Sequence, residues 1–249
     1  MRLVLASASP RRAELLTSAG FTFETLAVDA DEHPRQGEAP PAYVRRLAGE
    51  KSARALDLLS RSGRTGPGPP GGPPELQRGR ERIADGEGAY YLQGLPEGGH
   101  CGYKEGRFAR EGGSRTVAEP DIVVLGADTA VVLDGEILGK PRDDEDARAM
   151  LRRLSGQGHE VLTGVSLRTV GDEMGLVETT SVWFAPLTPD AIAWYVSTGE
   201  GRDKAGAYAI QGLASRFVSR MEGSYSNVVG LPVAAVADLF QQLKGGRPG

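Results

Sequence analysis

A long stretch rich in glycine and proline divides this chain and limits the folds that it can adopt. Between Ser62 and Glu119 there are 15 glycines and 6 prolines, and 10 of the first 14 positions of this stretch are one or the other. Such a composition cannot bury enough apolar surface to offset the entropy lost on ordering. The sequence therefore predicts a flexible surface insertion at residues 62–119, with one short strand at Ala89–Leu92, because added loop length costs little free energy.

The remainder of the chain alternates between strand patterns and helix patterns. Apolar runs at Arg2–Ser7 and Asp121–Asp128 are typical of buried strands, and the amphipathic spacing over Ala42–Leu59 and Asp143–Leu154 predicts helices. The other predicted elements are a helix from Ser9-Pro10 to Gly20, strands at Phe21–Val28, Glu160–Thr169 and Leu176–Pro186, a hairpin at Ala130–Lys140 that turns at Asp134-Gly135, and helices at Asp190–Val196 and Pro232–Lys244. This order predicts one α/β domain over residues 1–249, with a mixed sheet and flanking helices.

Charge, cysteine and histidine content exclude several classes of protein. The chain has 29 Lys+Arg against 33 Asp+Glu, a formal net charge of -4, whereas proteins that coat nucleic acid usually carry a basic field. One cysteine, Cys101, allows no intrachain disulfide, and three scattered histidines argue against a Cys/His zinc site. No apolar run approaches the roughly 20 residues of a membrane span, and the N-terminal run is too short for a signal peptide. We therefore expect a soluble cytoplasmic protein, without a membrane segment or a stable nucleic-acid complex.

A phosphate-binding turn is indicated where the first predicted strand gives way to the first predicted helix. Ser7 and Ser9 supply hydroxyl groups there, and Arg11 and Arg12 follow in the same turn. The free N–H groups at a helix N-terminus attract anions, and arginine matches the geometry of phosphate. The alternative is an ordinary helix cap with solvated arginines.

Lys51 lies in the middle of the apolar stripe of the predicted helix Ala42–Leu59. Val44, seven positions earlier, is on the same face of that helix. A lysine that faces the core needs a counter-charge or an anionic ligand. The alternative is a lysine at the edge of the stripe whose ammonium group reaches water.

Two carboxylates follow predicted strands and could share a divalent cation. Asp128 ends the apolar run Asp121–Asp128, and Glu32, within the acidic run Asp29-Ala30-Asp31-Glu32, ends another predicted strand in the same manner. Ligands collect at the carboxyl ends of strands in α/β sheets, and carboxylates suit a hard cation such as Mg²⁺. The alternatives are a structural cap for Asp128 and a solvated turn for the acidic run that contains Glu32.

Two further polar residues stand out, and two classes of enzyme are excluded. Lys140 ends a glycine-bounded segment that resembles a P-loop but is one residue too short, lacks the following Ser/Thr and continues into proline. We therefore reject a P-loop kinase or GTPase, which leaves Lys140 as a phosphate ligand or a turn lysine.

Gln211 lies between apolar residues, which predicts a buried amide that either reads a nucleotide base or bonds to the backbone. No G-x-S-x-G motif supports a serine hydrolase.

Seven segments in order resemble the Maf family of nucleoside triphosphate pyrophosphatases. They are ASASPRRAELL, the Asp-Glu pair at 31–32, RLAGEKSARA, VLGADTAVVLDGEILGKP, LSGQGHEVLTGV, DKAGAYAIQG and GSYSNVVGLP. They cover nearly all of the chain outside residues 62–119, where this chain departs from the short connection of the family. The resemblance implies an inosine-triphosphate-pyrophosphatase-like (Maf-like) α/β fold, with two lobes around a central cleft.

The same resemblance implies an activity and roles for particular residues. The reaction is hydrolysis of a nucleoside triphosphate to the monophosphate and pyrophosphate, dependent on a divalent metal, Mg²⁺ or Mn²⁺. The family's proton acceptor matches Asp128, and the positions that govern base choice match Arg11, Thr129 and Gln211. The segments GADT and Y-x-I-Q-G resemble the branch that acts on dTTP and UTP rather than on 7-methyl-GTP. The family also implies a homodimer, a link to septum formation and a role in keeping modified nucleotides from incorporation.

These observations combine into one hypothesis for the site, with two alternatives. Glu32 and Asp128 hold the metal, and a water molecule that the metal binds and Asp128 orients attacks the α-phosphorus. The residues expected to bind the phosphates are Ser7, Ser9, Arg11, Arg12, Lys51 and Lys140, and those expected to meet the base are Thr129 and Gln211. The alternatives are a nucleotide- or RNA-binding module without activity, and a division-linked protein whose partner docks on the insertion.

Overall fold

The computed structural model describes residues 1–62, 108–109 and 122–245, and it is built on one mixed β-sheet. The strands of the described part are β1 (Arg2–Ala6), β2 (Glu24–Thr25), β3 (Phe108–Ala109), β4 (Ile122–Leu133), β5 (Glu136–Leu138), β6 (Gly158–Thr169), β7 (Asp172–Phe184) and β8 (Val218–Glu222). The helices are α1 (Pro10–Ser18), α2 (Pro40–Ser62), α3 (Asp144–Leu154), α4 (Pro189–Ser197), α5 (Tyr225–Val229) and α6 (Val233–Gly245), with short 3₁₀ turns at Ala205–Ala207 and Leu213–Phe217. None of the described helices has the length and apolar character of a membrane span.

The order of strands confirms the predicted mixed sheet with flanking helices. Strands run β2-β1-β4-β6-β7-β3 across the sheet, with β5 paired to β4 and β8 paired to β7. The pairs β1–β2 and β1–β4 are parallel, and the other described pairs are antiparallel. β1 pairs with β4 only as far as Ala6 and Gly126, whereas β4 continues along β6 as far as Val132. A cleft therefore opens where β1 stops and β4 goes on.

Helix boundaries follow local signals that the sequence carries. α2 starts at Pro40, where a missing N–H costs nothing because the first turn has no acceptor for it. Asp143 caps α3 by accepting a hydrogen bond from the N–H of Asp146 at 2.8 Å. Thr188 caps α4 in the same way, by accepting from the N–H of Ala191. The hairpin between β4 and β5 turns at Asp134 and Gly135, both at positive φ, as predicted.

Three predictions about where strands end are wrong. The predicted strand Phe21–Val28 is reduced to β2, which lies at the sheet's edge and pairs with only two residues of β1. Glu32 consequently lies in a segment without regular structure rather than at the end of a strand. Asp128 is not at a strand end either, because β4 keeps pairing with β6 through this point.

The predicted insertion falls almost wholly outside the described residues. The predicted short strand at Ala89–Leu92 lies there as well, so both remain predictions. At the start of the insertion, Ser62 is the last residue of α2. Inside it, β3 pairs antiparallel with Met174 and Gly175 of β7.

Two glycines bring α2 unusually close to the sheet. A Cβ atom on Gly126 of β4 would lie 2.2 Å from the carbonyl oxygen of Ala48, and one on Gly164 of β6 would lie 2.2 Å from that of Val44. No real side chain tolerates such distances, so the helix backbone can rest on the sheet only where glycine stands. This contact holds Lys51, one turn beyond Ala48, directly over the middle of β4.

Two apolar clusters lie on the opposite face of the sheet from α2. One joins α3 and α4 to the later halves of β4 and β6, through residues such as Leu151, Tyr195 and Val131. The other joins α1 and α6 to the earlier half of β4, through residues such as Leu16 and Leu125. Residues 125 and 131 share a face because side chains alternate along a strand.

Candidate active site

A cavity of about 770 Å³ opens where β1 ends beside β4. Its walls come from the β1–α1 turn, residues 28–33, two side chains of α2, the centre of β4, the segment from β5 to Lys140, residues 203–208 and the end of α5. Nine of the ten predicted site residues line it, namely Ser7, Ser9, Arg11, Arg12, Glu32, Lys51, Asp128, Thr129 and Lys140. The fold thus collects in one cavity residues that are far apart in the sequence.

A chain of alternating charges forms the centre of the cavity. Lys51 Nζ lies 2.6 Å from Asp128 Oδ1 and 3.1 Å from Glu32 Oε1. The other oxygen of Glu32 accepts a hydrogen bond from Lys140 Nζ at 3.1 Å. Lys51 and Asp128 are only 8% and 7% exposed. A buried ammonium group therefore bridges the two predicted metal-binding carboxylates, which places them side by side.

The position of Lys51 follows from the stripe in which it lies. Its helix face is apolar and buried through Val44 and Leu47, so the lysine is carried into the interior, as predicted. Burial by itself would raise the pKa of Glu32, but attraction and hydrogen bonds from Lys51 and Lys140 outweigh burial and lower this pKa below its ordinary value. The cluster is thus held together by compensating charges.

Arg12 stabilises the turn between β1 and α1 through hydrogen bonds. Its guanidinium donates four hydrogen bonds, to the carbonyl oxygens of Gly230 at 2.8 Å and Ala127 at 2.9 Å, and to the hydroxyls of Ser7 and Thr129. Burial lowers the pKa of Arg12, whereas the nearby charge of Asp128 acts to raise it. Because these acceptors are all neutral, the positive charge of Arg12 remains available to an anion in the cavity.

Ser9 leaves the start of α1 open toward the cavity. It occupies the cap position, but its side chain makes no capping hydrogen bond, and its own N–H donates to Ser7 Oγ at 3.1 Å. Pro10 follows as the first helical residue. The unsatisfied N–H groups of this first turn are a ready anion site next to Arg11.

Gln211 is the one predicted site residue outside the cavity. It is exposed, so the prediction of a buried amide is wrong. It lies at the outside of a tight turn, in which the N–H of Gly212 donates to the carbonyl oxygen of Ala209 at 3.0 Å. The residues before it, 206–210, are all buried on an irregular stretch of backbone, whereas residue 211 lies in the turn and is exposed.

The structure adds cavity residues that sequence reasoning missed. Asp203, Lys204 and Tyr208 come from the same segment as Gln211, and Lys204 pairs with Asp203. Tyr43 comes from α2, and its position eight residues before Lys51 on the same helix face is the signal that could have revealed it. Burial and the charges of nearby carboxylates raise the pKa of Tyr43, so its hydroxyl is a firm hydrogen-bond donor.

The donor set suits a divalent cation that a phosphate would complete. Among the described residues no group of three or more His, Cys, Asp or Glu side chains is arranged to hold a metal. Mg²⁺, however, is often bound by one or two carboxylates together with water and substrate phosphates. The adjacent carboxylates of Glu32 and Asp128 meet that requirement.

The lining of the cavity combines two kinds of side chain. The cationic side chains of Arg11, Lys51 and Lys140 suit a polyanion. Apolar side chains such as Val131 and Leu138 suit a planar ring. A molecule that joins a phosphate chain to a base fits this combination.

Comparison with known proteins finds relatives over nearly the whole length of this chain. The family model described as "Maf-like protein" matches residues 2–243. A protein of Anaeromyxobacter sp. (strain Fw109-5), named dTTP/UTP pyrophosphatase, is 42% identical over 246 residues, which covers 97% of this chain and 89% of the relative. Proteins of the same name from Anaeromyxobacter dehalogenans (strain 2CP-C) and Symbiobacterium thermophilum are 43% and 38% identical, each covering 97% of this chain and 93% of the relative.

Proposed function

Because this chain belongs to the Maf-like protein family, we propose that it hydrolyses nucleoside triphosphates to the monophosphate and pyrophosphate, with dTTP and UTP as substrates. The observation that carries the proposal is the bridge of Lys51 between Asp128 and Glu32 at the centre of the cavity. This bridge places the buried carboxylate of Asp128, which can accept a proton, beside the ammonium group of Lys51, which can bind phosphate. The relatives' names supply the choice of dTTP and UTP.

Asp128 is the proposed proton acceptor. Its carboxylate lies in the cavity, and Lys51 holds one oxygen at 2.6 Å and thereby orients the other. A water molecule beside that oxygen attacks the α-phosphorus and passes its proton to Asp128. The bond from the α-phosphorus to the oxygen that bridges to the β-phosphate breaks, and pyrophosphate leaves.

The cations of the cavity balance the charge that builds up in this step. Arg11, Lys51 and Lys140 neutralise the phosphate oxygens and the leaving pyrophosphate. Ser7 and Ser9 donate hydrogen bonds beside the start of α1. Arg12 contributes its charge from the wall, because four of its N–H groups already bind the protein.

Glu32 and Asp128 are the proposed ligands of a divalent metal, Mg²⁺ or Mn²⁺. When bound there, the metal supplies Lewis-acid stabilisation of the phosphate charge. Glu32 also keeps Lys51 and Lys140 in place, since each of its oxygens accepts a hydrogen bond from one of them. The acidic and basic residues of the site therefore position one another.

Base choice is proposed for residues of the cavity wall. Arg11 and Thr129 line the cavity and are the candidates. Gln211 is exposed and outside the lining, so any role of this residue in base choice requires movement of its turn. The apolar side chains of the lining suit the faces of a planar base, and the choice of thymine and uracil comes from the relatives' names.

Product analysis tests the reaction. Purified protein is incubated with Mg²⁺ and with dTTP, UTP, CTP, GTP or 7-methyl-GTP in turn, and pyrophosphate and monophosphate are measured together. We expect equal amounts of both products, fastest with dTTP and UTP. Release of orthophosphate, or no release at all, would contradict the proposal. Nucleotide binding by calorimetry without any product would instead favour the binding-module alternative.

Replacing Asp128 by asparagine tests its role in proton transfer. Asn keeps the shape but cannot accept the proton, so turnover of Asp128→Asn is expected to fall by about 100-fold or more. Asp238→Asn, an exposed change on α6, is the matched control and should retain the wild-type rate. A near-normal rate for Asp128→Asn would remove this residue as the base.

A further inference from the structure

The segment that carries Glu32, residues 29–33, is held in place by hydrogen bonds from side chains and not by pairing with a β-strand. Residues 29–33 have no regular secondary structure. Tyr43 donates its hydroxyl to the carbonyl oxygen of Glu32 at 2.8 Å. Arg46 donates to the carbonyl oxygens on either side of it, to Asp31 at 3.3 Å and to His33 at 3.1 Å. Three successive carbonyl groups centred on Glu32 are thus bound from one helix.

A third donor extends this arrangement along α2. Arg54 donates to the carbonyl oxygen of Asp29, at the start of the same segment. Residues 43, 46 and 54 are three and then eight apart, so they lie along one side of the helix. One side of α2, from Tyr43 to Arg54, therefore faces residues 29–33.

Arg46 is itself fixed in place, so its hydrogen bonds define a position. Its guanidinium forms a two-pronged pair with Glu38, at 2.7 and 2.8 Å. The side chains of this pair are only 11% and 10% exposed, and the guanidinium also lies over the Tyr43 ring at 5.6 Å. A rigid donor of this kind restricts the backbone dihedral angles of the residues that it binds.

We propose that Tyr43, Arg46 and Arg54 are positioning residues that fix the path of residues 29–33 and so set the Glu32 carboxylate against Lys51 and Lys140. None of the three needs to touch the substrate for this purpose. They act through the backbone of Glu32, as the outer partners of a metal ligand commonly do. The inference rests on the proposed function, because it gives Glu32 a task that depends on its position.

Two substitutions remove the contacts of Tyr43 and Arg46 with little loss of packing, while Arg54 keeps its contact with Asp29. Tyr43→Phe deletes one hydroxyl and keeps the ring, and Arg46→Met deletes the guanidinium and keeps an apolar stem. Arg61→Met is the matched control, since Arg61 is on the same helix but pairs with Asp57 at its exposed end. Thermal unfolding of each variant confirms that it is folded before the other measurements are made.

Two measurements test the proposal without turnover. Hydrogen–deuterium exchange reports the mobility of residues 29–38, and electron paramagnetic resonance of free Mn²⁺ reports binding of Mn²⁺ together with a non-hydrolysable dTTP analogue. We expect faster exchange in this segment, and a Mn²⁺ dissociation constant about 10-fold higher, for Tyr43→Phe and Arg46→Met. Arg61→Met should match the wild type in both measurements.

Activity then separates positioning from general damage. For a positioning role, the lost turnover of Tyr43→Phe should return when Mn²⁺ is raised above the new dissociation constant. Unchanged exchange, unchanged Mn²⁺ binding, or a loss of activity that Mn²⁺ does not restore would overturn the inference. If the wild type releases no pyrophosphate, the proposed function fails, yet exchange and Mn²⁺ binding still decide whether these residues position Glu32.

Discussion

At the scale of single residues, His159 shows how this protein treats a polar group that it buries. The imidazole is 3% exposed and lies against the rings of Phe184 and Tyr208. Its Nε2 shares a hydrogen bond of 2.8 Å with the hydroxyl of Tyr208, and its Nδ1 has no partner among the described residues. Burial lowers the pKa of His159 to about 4, so the ring is neutral at pH 7.

This burial predicts a loss of stability in mild acid. An unfolded histidine takes up its proton near pH 6.5, whereas His159 in the folded protein, with its pKa of about 4, does not. Between these values the unfolded state binds more protons, so the free energy of unfolding falls as pH falls, by about 3 kcal/mol in total. Urea unfolding at pH 7 and pH 4.5 measures most of this difference, which is complete only below the folded pKa of about 4.

Two variants show how much of this fall in the free energy of unfolding is due to His159. His159→Gln should lose less stability than the wild type over this interval, because glutamine does not titrate. His33→Gln, which changes an exposed histidine, should keep most of the wild-type loss. Equal losses in His159→Gln and the wild type would show that another group causes the pH dependence.

At the scale of elements, the position of α2 decides the geometry of the site. The helix supplies Lys51 to the charged centre, Tyr43 to the cavity wall and Arg46 to the Glu32 segment. Its distance from the sheet is set by Gly126 and Gly164, where no side chain separates the two layers. A small change in that distance would move all of these side chains together.

Gly164→Ala tests this dependence. The new Cβ would lie 2.2 Å from the carbonyl oxygen of Val44, so α2 must shift outward. We expect the free energy of unfolding to fall by about 1–3 kcal/mol, and the rate of hydrolysis to fall as Lys51 leaves Asp128. Gly139→Ala is the control for stability, because its Cβ would meet no atom within 4 Å. Wild-type stability in Gly164→Ala would mean that the helix does not rest on this residue.

At the scale of the whole molecule, the cavity is lined by members of two apolar clusters. Val131, Leu138 and Tyr208 belong to the cluster of α3 and α4. Tyr43 and Ala130 belong to a second cluster, which lies between α2 and the sheet. A ligand that fills the cavity therefore adds contacts to both clusters at once.

Ligand binding should accordingly stabilise the whole fold. A non-hydrolysable dTTP analogue with Mg²⁺, at about 100 times its dissociation constant, adds about 2.7 kcal/mol, which raises Tm by roughly 5–10 °C. Because two carboxylates and the phosphates would share the metal, excess EDTA should remove most of this shift. A shift that survives EDTA in full would argue against the metal at Glu32 and Asp128. Inorganic sulfate at the same ionic strength controls for general salt effects.

Local patterns were enough to predict several elements and most of the candidate site. The apolar stripe around Lys51 predicted that this residue faces inward, because helical periodicity depends only on neighbouring residues. The same reasoning failed at Gln211, where an irregular backbone follows no periodicity. It also failed for the length of β4, since pairing with β6 continues past the point where β1 ends.

The order of residues alone settles which α/β family this chain belongs to and which acidic and basic groups are present, because short-range periodicity and motifs are properties of the chain itself. Only the folded arrangement decides that Lys51 lies between Asp128 and Glu32, and that Tyr43 and Arg46 hold the Glu32 segment. These contacts join residues far apart in the chain. Their distances depend on how closely α2 packs on the sheet, which no local pattern encodes.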